Sequence, residues 1–361
     1  MVFGLFKPSV CIDSVRTSCP SNHFIPIFTF ALIPPQRMPS LDEIRKPVNR
    51  EMHEFERHFR DAMKSKIPLV NIITNYLLRR KGKQIRPLFV FLSSGLAGGI
   101  TESTYNAASL IELLHTASLI HDDVVDESYE RRGFFSINAL WKSKVSVLLG
   151  DYLLARGLLL SVDHNEYELL RLVSDAVREM SEGELLQIQK SRRLNITKEE
   201  YFEIIRKKTA ALIAACTACG AWSYSRNPEL TEKFRIFGEK VGMAFQIKDD
   251  LFDYQKKSLT GKPSGNDIKE KKFTLPLIHA LENCNDQERR KIIRTIKRHN
   301  NNRHKVQEVI EFARSNGGIE YSVDRMMEFR DDALAVLSEL PDNEHNESLR
   351  SLVDYVVERK K

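Results

Sequence analysis

From Ser40 to the C-terminus, apolar residues recur at spacings of three and four, and strand-like alternation is scarce. A chain patterned this way over so long a stretch must lay helices side by side and share their apolar faces. The spacing predicts helices over 40–63, 67–80, 84–98, 101–121, 136–160, 166–190, 198–225, 229–256, 273–284, 287–299, 303–315, 317–339 and 345–359. Breakers fall between them at Gly98-Gly99, Arg132-Gly133, Asn227-Pro228 and Gly261-Lys262-Pro263-Ser264-Gly265. Helices 136–160 and 198–225 are apolar on more than one side, which suits the middle of a bundle. The expected fold is all-α, a single large helical domain over residues 38–361.

Residues 1–37 differ from the rest. They hold Pro8, Pro20, Pro26, Pro34 and Pro35, and their only acid is Asp13. The apolar run Phe24 to Ile33 is interrupted by Pro26 and is too short to span a bilayer. It could be a weak signal segment, a transit peptide, or a stretch upstream of a start at Met38. The third reading is favoured, because Ser40 and Glu43 form a capping box that opens the first helix without it. The expected location is the cytoplasm, or an organelle if the segment is a transit peptide.

The net charge is +6, and the basic residues are spread along the chain. A nucleic-acid footprint would be a clustered stripe. The nearest candidates, Arg289 to Arg298 and Arg303 to Lys305, read as solvated helix faces, so no nucleic-acid partner is expected. Cys216 and Cys219 lie in a helical, apolar run and read as small core residues in a reducing compartment.

Two aspartate clusters of one form stand in apolar, helix-length stretches: Asp122-Asp123-Val124-Val125-Asp126 and Asp249-Asp250-Leu251-Phe252-Asp253. On a helix the first and last aspartates of each share a face, with the middle one at its edge. Such carboxylates repel one another, and apolar surroundings sharpen the repulsion. One cluster alone would read as a solvated helix end. Two in buried-looking settings imply a strongly positive occupant. Aspartate oxygens suit Mg²⁺, which keeps places in its shell for water and phosphate oxygens.

Basic groups that a polyphosphate needs stand around both clusters. Lys83 and Arg86 lie in Gly82-Lys83-Gln84-Ile85-Arg86-Pro87, His115 lies two helical turns before Asp122, and Arg131-Arg132-Gly133 follows the first cluster. Lys207-Lys208-Thr209 opens an apolar helix. Phe245-Gln246 precedes the second cluster, and Lys262 and Lys271-Lys272-Phe273-Thr274 follow it. Each is weak alone; a lone histidine on an apolar helix is usually a satisfied core residue.

Together, from about Ser40 onward, these motifs resemble the trans-type isoprenyl (polyprenyl) diphosphate synthases, long-chain members included, in type and in order. The resemblance implies an all-α bundle of the isoprenoid synthase type with a deep central cavity, usually a homodimer. It implies a Mg²⁺-dependent prenyltransferase, commonly with three ions, that joins isopentenyl diphosphate to an allylic diphosphate. Asp122, Asp123, Asp126, Asp249 and Asp253 would hold metal, with Asp250 assisting from behind. Arg131, Lys208, Lys262 and Lys272 would hold the allylic diphosphate. Lys83, Arg86, His115 and Arg132 would hold isopentenyl diphosphate. Thr209 and Gln246, with Lys208, would lie by the allylic carbon as it becomes positive. No transmembrane span is expected, only peripheral membrane contact for product release. Two departures from the family pattern are noted: Lys271 where many relatives have Gly, which leaves Lys271 and Lys272 as rivals with the Thr-Leu-Pro register favouring Lys272, and Phe134-Phe135-Ser136 after the arginine pair.

The same resemblance bears on product length through Ala117 and Ser118, small residues one turn before the first cluster, where short-chain relatives often carry aromatics. Leu114 and Leu113 lie about 5.4 Å deeper, with Leu153, Leu154, Gly157 and Leu158 facing, which implies a product of about C30–C45, octaprenyl being the single best choice. Such chains usually become quinone tails. A short-chain farnesyl or geranylgeranyl synthase, or a non-catalytic subunit of a heteromeric synthase, is the alternative, although such subunits lose their aspartates. A terpene cyclase has no use for Lys83, Arg86 and His115, and a plain metal-binding helical protein would not account for the basic set.

Overall fold

The computed structural model describes residues 39–79, 82–131, 133–191, 194–255 and 265–359. The expectations for residues 1–37, Arg132 and Lys262 lie outside them. The helices are α1 (Leu41–Arg45), α2 (Asn49–Ala62), α3 (Pro68–Leu78), α4 (Ile85–Leu96), α5 (Glu102–Val125), α6 (Ile137–Asp163), α7 (Tyr167–Ser191), α8 (Lys198–Ile205), α9 (Ala211–Ser225), α10 (Pro228–Phe252), α11 (Asn266–Lys269), α12 (Leu275–Glu282), α13 (Asp286–His299), α14 (Arg303–Ser315), α15 (Gly318–Ser338) and α16 (Glu344–Glu358). The only strands among the described residues are β1 (Glu130–Arg131) and β2 (Phe134–Phe135), an antiparallel pair in which Glu130 faces Phe135.

The capping box at Ser40 forms. Its hydroxyl accepts from the Glu43 N–H, and the Glu43 carboxylate accepts from the Ser40 N–H at 2.6 Å. The first predicted helix is nevertheless broken by a 3-10 turn, Lys46–Val48, because Pro47 has no N–H to give.

Helix α9 is the axis of the bundle. Almost all of it is buried, and α4, α5, α7 and α10 pack on it. Small residues permit the approach: a Cβ on Gly220 would stand 2.3 Å from the Val90 carbonyl oxygen, and one on Gly242 2.4 Å from the Ala210 Cα. Cys216 and Cys219 are fully buried within it, and burial pushes the Cys216 thiol up to about 12. They are core residues, as the sequence implied.

Helix α6 differs from expectation. One side packs on α5, but Val147, Leu148, Leu158, Leu159 and Val162 are exposed on the other. It is long and apolar enough to cross a membrane by length and composition. It lies at the edge of the bundle, and none of the helices described here covers its second apolar face.

Candidate active site

Both aspartate clusters sit at the C-terminal ends of helices. Helix α5 runs on to Val125 with Asp126 as its C-cap, rather than stopping at 121, so the first cluster forms its last turn. The second forms the last turn of α10, with Asp253 as C-cap. The C-terminal end of a helix carries partial negative charge and favours cations. Six carboxylates placed on two such ends are therefore doubly disfavoured until a cation joins them. The faces split as helix geometry requires: Asp122 and Asp126 are exposed, and Asp123 is buried between them.

Each aspartate of the second cluster has a different environment. Asp249 is ion-paired with Arg359, whose guanidinium also lies 4.1 Å from the centre of the Phe245 ring. Asp250 is buried and accepts from the Tyr201 hydroxyl at 2.7 Å and from Gln246 Nε2 at 2.8 Å. Burial pushes its carboxyl up to about 7, aided by Asp249 and Asp253 and opposed by those two hydrogen bonds. Asp253 accepts from the backbone N–H groups of Gly265, Asn266 and Asp267 and so anchors the start of α11. Asp267 is raised to about 8 by burial and by Asp250 and Asp253.

A π-helical turn, Arg206–Ala210, separates α8 from α9 and presents Lys208 and Thr209. The periodicity over 198–225 predicts one unbroken helix, and the widened turn interrupts it. It packs on α7 at Gly183, where a Cβ would stand 2.8 Å from the Lys208 nitrogen. Side chains of α7 hold its cations: Arg206 on Glu179, Lys207 on Glu182, and Lys208 on Glu184 and the amide oxygen of Gln187. Thr209 Oγ1 donates to Gln246 Oε1 at 2.7 Å, so Thr209, Gln246, Asp250 and Tyr201 form one hydrogen-bonded chain.

The remaining basic candidates occupy two places. Lys272 is half-buried; burial pulls its ammonium down, but Glu270, Asp267 and Glu184 together raise it above its ordinary value. Lys271 is exposed in a left-handed conformation. Of the two rivals, Lys272 is the one that interacts with Asp267 and with Glu184, the partner of Lys208. Lys83 lies elsewhere, donating to the Tyr355 hydroxyl at 2.9 Å, and Gln84 turns the chain through a left-handed φ of 50° into α4. That turn sets Arg86 in the first turn of α4, where the helix end itself favours an anion. His115 is buried midway along α5, which packs on α4. The backbone of Arg131 pairs with Phe134 in the hairpin.

The wall expected behind the first cluster differs in part from that expectation. Ala117 is buried, and Ser118 turns its hydroxyl to the His115 carbonyl at 2.9 Å. Leu153 and Gly157 of α6 face α5, whereas Leu154 and Leu158 are exposed. The space left by Gly157 is taken up: a Cβ there would stand 3.3 Å from Leu110 and 3.5 Å from Leu114.

Sequence reasoning missed Tyr201, Asp267, Glu184, Gln187 and Arg359. Tyr201 and Arg359 reach the site from distant parts of the chain, and none of the five belongs to a local motif.

Among the described residues no three His, Cys, Asp or Glu side chains converge as a closed metal cage. The clusters are open sets of hard oxygen donors with excess negative charge. That fits Mg²⁺, which is commonly bound by one or two carboxylates plus phosphate oxygens.

Known proteins share this architecture. The profile of the polyprenyl synthetase family matches residues 67–313. The octaprenyl diphosphate synthase of Escherichia coli (strain K12) is 34% identical over 321 residues, covering 89% of this chain and 99% of that protein. The all-trans-nonaprenyl-diphosphate synthase (geranyl-diphosphate specific) of Rhodobacter capsulatus is 35% identical, covering 88% and 97%. The crystal structure of a polyprenyl synthase from Caulobacter crescentus CB15, complexed with calcium and isoprenyl diphosphate, superposes with a TM-score of 0.82 at 34% identity, covering 91% of this chain and all of that one. With its paired aspartate helix ends and their flanking cations, this all-α chain belongs to the polyprenyl synthetase family and is a prenyltransferase.

Proposed function

We propose that the protein condenses isopentenyl diphosphate with an allylic diphosphate, repeatedly, to make a long-chain all-trans polyprenyl diphosphate of octaprenyl class. The observation that carries this reading is the pair of aspartate clusters on helix C-termini, with cations beside them and small Ala117 and Ser118 behind the first. The long-chain products named for the Escherichia coli and Rhodobacter capsulatus relatives support the chain length.

In this reading Asp122, Asp126, Asp249 and Asp253 hold Mg²⁺, and Asp123 and Asp250 steady them from behind. When bound, Mg²⁺ supplies positive charge where the leaving diphosphate gains negative charge. Lys208, Lys272, Arg131 and Lys262 take the allylic diphosphate, and Lys83, Arg86, His115 and Arg132 the isopentenyl one. Two separate anion sites fix the approach of the double bond to the allylic carbon. The Thr209–Gln246 pair turns oxygen atoms toward that carbon as its C–O bond breaks. The buried helices of the bundle keep water from the cation. Released pyrophosphate is a sufficient base for the last proton, so no side chain need act as one.

A second copy of the chain would cover the exposed apolar face of α6, which supports a homodimer. Peripheral contact with a membrane suits release of an apolar product.

The test is an assay of purified protein with Mg²⁺, labelled isopentenyl diphosphate and a set of allylic primers, with products sized by chromatography. Ladders ending near the octaprenyl length are expected; accumulation at farnesyl or geranylgeranyl length would reject the chain-length assignment. Arg86→Ala should mainly raise the KM for isopentenyl diphosphate, and Lys208→Ala that for the primer. Loss of one charge-assisted contact is worth roughly 1.5–3 kcal/mol.

A further inference from the structure

The outer face of α13 carries more cations than acids reach among the described residues: Arg290 meets Asp286 at 4.0 Å, and Lys291 acts on Glu308 of α14 only through space. At 100° per residue, Arg290, Lys291, Arg294, Lys297 and Arg298 share one arc, opposite the buried Ile292 and Ile296. All five are exposed. Among the described residues Lys291, Arg294, Lys297 and Arg298 make no ion pair, and Arg290 reaches only Asp286, at 4.0 Å.

Several other surface arginines of this protein are paired at helical spacing, whereas the exposed Arg50, Arg60 and Arg79 make no ion pair among the described residues. Arg171 has Glu168 and Asp175, Arg178 has Asp175 and Glu182, and Arg235 has Glu232 and Glu239. From Arg289 to Lys305 there is neither Asp nor Glu. Like charges at these spacings repel, and Arg289 to Lys291 also oppose the positive end of the helix. An external anionic surface would relieve both.

The C-terminal end of the helix adjoins α11. Asn300, just after α13, donates Nδ2 to the Lys269 carbonyl at 2.5 Å, and Lys269 ends α11, the helix anchored by Asp253. No Phe, Tyr or Trp lies between Asp286 and Lys305 to stack nucleic-acid bases. The product is an amphiphile whose chain belongs in a bilayer.

We propose that the outer face of α13 docks the enzyme electrostatically on an anionic lipid surface, beside which the product leaves. The proposal rests on the long-chain reading above and gives its membrane contact a location. Clusters of this size on one helix face are sufficient for such attraction, at about fivefold in partitioning per cation.

The test is co-sedimentation of substrate-free protein with phosphatidylcholine vesicles, alone or with roughly one third phosphatidylglycerol. Binding is expected to the anionic vesicles only, and to fall sharply at about 0.5 M salt. The triple variant Arg290→Glu, Arg294→Glu, Lys297→Glu should lose at least about a hundredfold in partitioning, with melting temperature and condensation rate in detergent unchanged. Parent-like vesicle binding by that folded variant, equal binding to neutral vesicles, or binding to an oligonucleotide but not to vesicles would overturn the proposal. Short products from a protein that still binds anionic vesicles would count against the chain-length reading alone.

Discussion

The Tyr201 hydroxyl donates to Asp250 Oδ2 at 2.7 Å, and the other oxygen of that carboxylate accepts from Gln246. Through this pair a buried tyrosine in the middle of α8 fixes the orientation of an amide on α10, whose carbonyl oxygen then faces Thr209. Tyr201→Phe should leave the buried carboxylate of Asp250 one hydrogen-bond donor short. We expect a stability loss of about 1–3 kcal/mol and a fall in kcat of roughly tenfold, equivalent to about 1.4 kcal/mol, with KM for both substrates little changed. A parent-like kcat with a raised KM for isopentenyl diphosphate would show that Gln246 is not held this way.

Arg359 and Asp249 give a second expectation. The arginine occupies a carboxylate assigned to metal, so it competes with Mg²⁺ at that position. Because Asp249 is two-fifths exposed, the pair is worth at most about 1 kcal/mol. Arg359→Gln should lower the Mg²⁺ concentration for half-maximal activity by roughly two- to fivefold. A higher requirement would mean that the arginine aids assembly of the site.

The buried acids set the pH dependence of stability. Asp250 is pushed up to about 7 and Asp267 to about 8, chiefly by burial. The folded protein therefore keeps protons that the unfolded chain gives up near pH 4. Stability then falls as pH rises through the folded values. Metal-free protein should melt at a higher temperature at pH 6 than at pH 8, and Asp250→Asn should flatten the difference. Mg²⁺ should raise the melting temperature more at pH 8. A metal-free Tm that rises from pH 6 to pH 8 contradicts this assignment.

The wall behind the first cluster predicts product length. Ala117 is buried on α5, one turn or so before Asp122. Ala117→Phe should shorten the product toward farnesyl or geranylgeranyl length and retain the first condensation, at a stability cost of about 1–3 kcal/mol from overpacking. An unchanged product from a folded variant would place the growing chain elsewhere.

Most helices were legible because burying one face imposes a spacing of three and four, which survives in the sequence wherever the core is apolar. The π turn at Arg206–Ala210 was not, because Lys207, Lys208 and Thr209 suit an ordinary helix locally. It is accompanied by close packing on Gly183 and by the Thr209–Gln246 bond, both distant in sequence. The apolar spacing stops at 121, short of the end of α5 at Val125, because the aspartates that close the helix break the pattern. The two-residue strands of the Glu130–Phe135 hairpin are too short to alternate. The aspartates and Lys208 were visible as motifs, whereas Tyr201, Asp267 and Arg359 become site residues only once α8, α11 and α16 are folded against α10.

The most direct measurement of the central claim is condensation rate against Mg²⁺ concentration for the parent, Asp122→Ala and Asp249→Ala, with melting curves recorded alongside. Both clusters stand on helix ends that repel them without a cation, so both variants should fold at least as well as the metal-free parent. Both should lose turnover by about a thousandfold or more, as for a lost transition-state charge contact, and added Mg²⁺ should not restore it. A folded variant with near-parent turnover, or a parent enzyme equally active in excess chelator, would contradict the account.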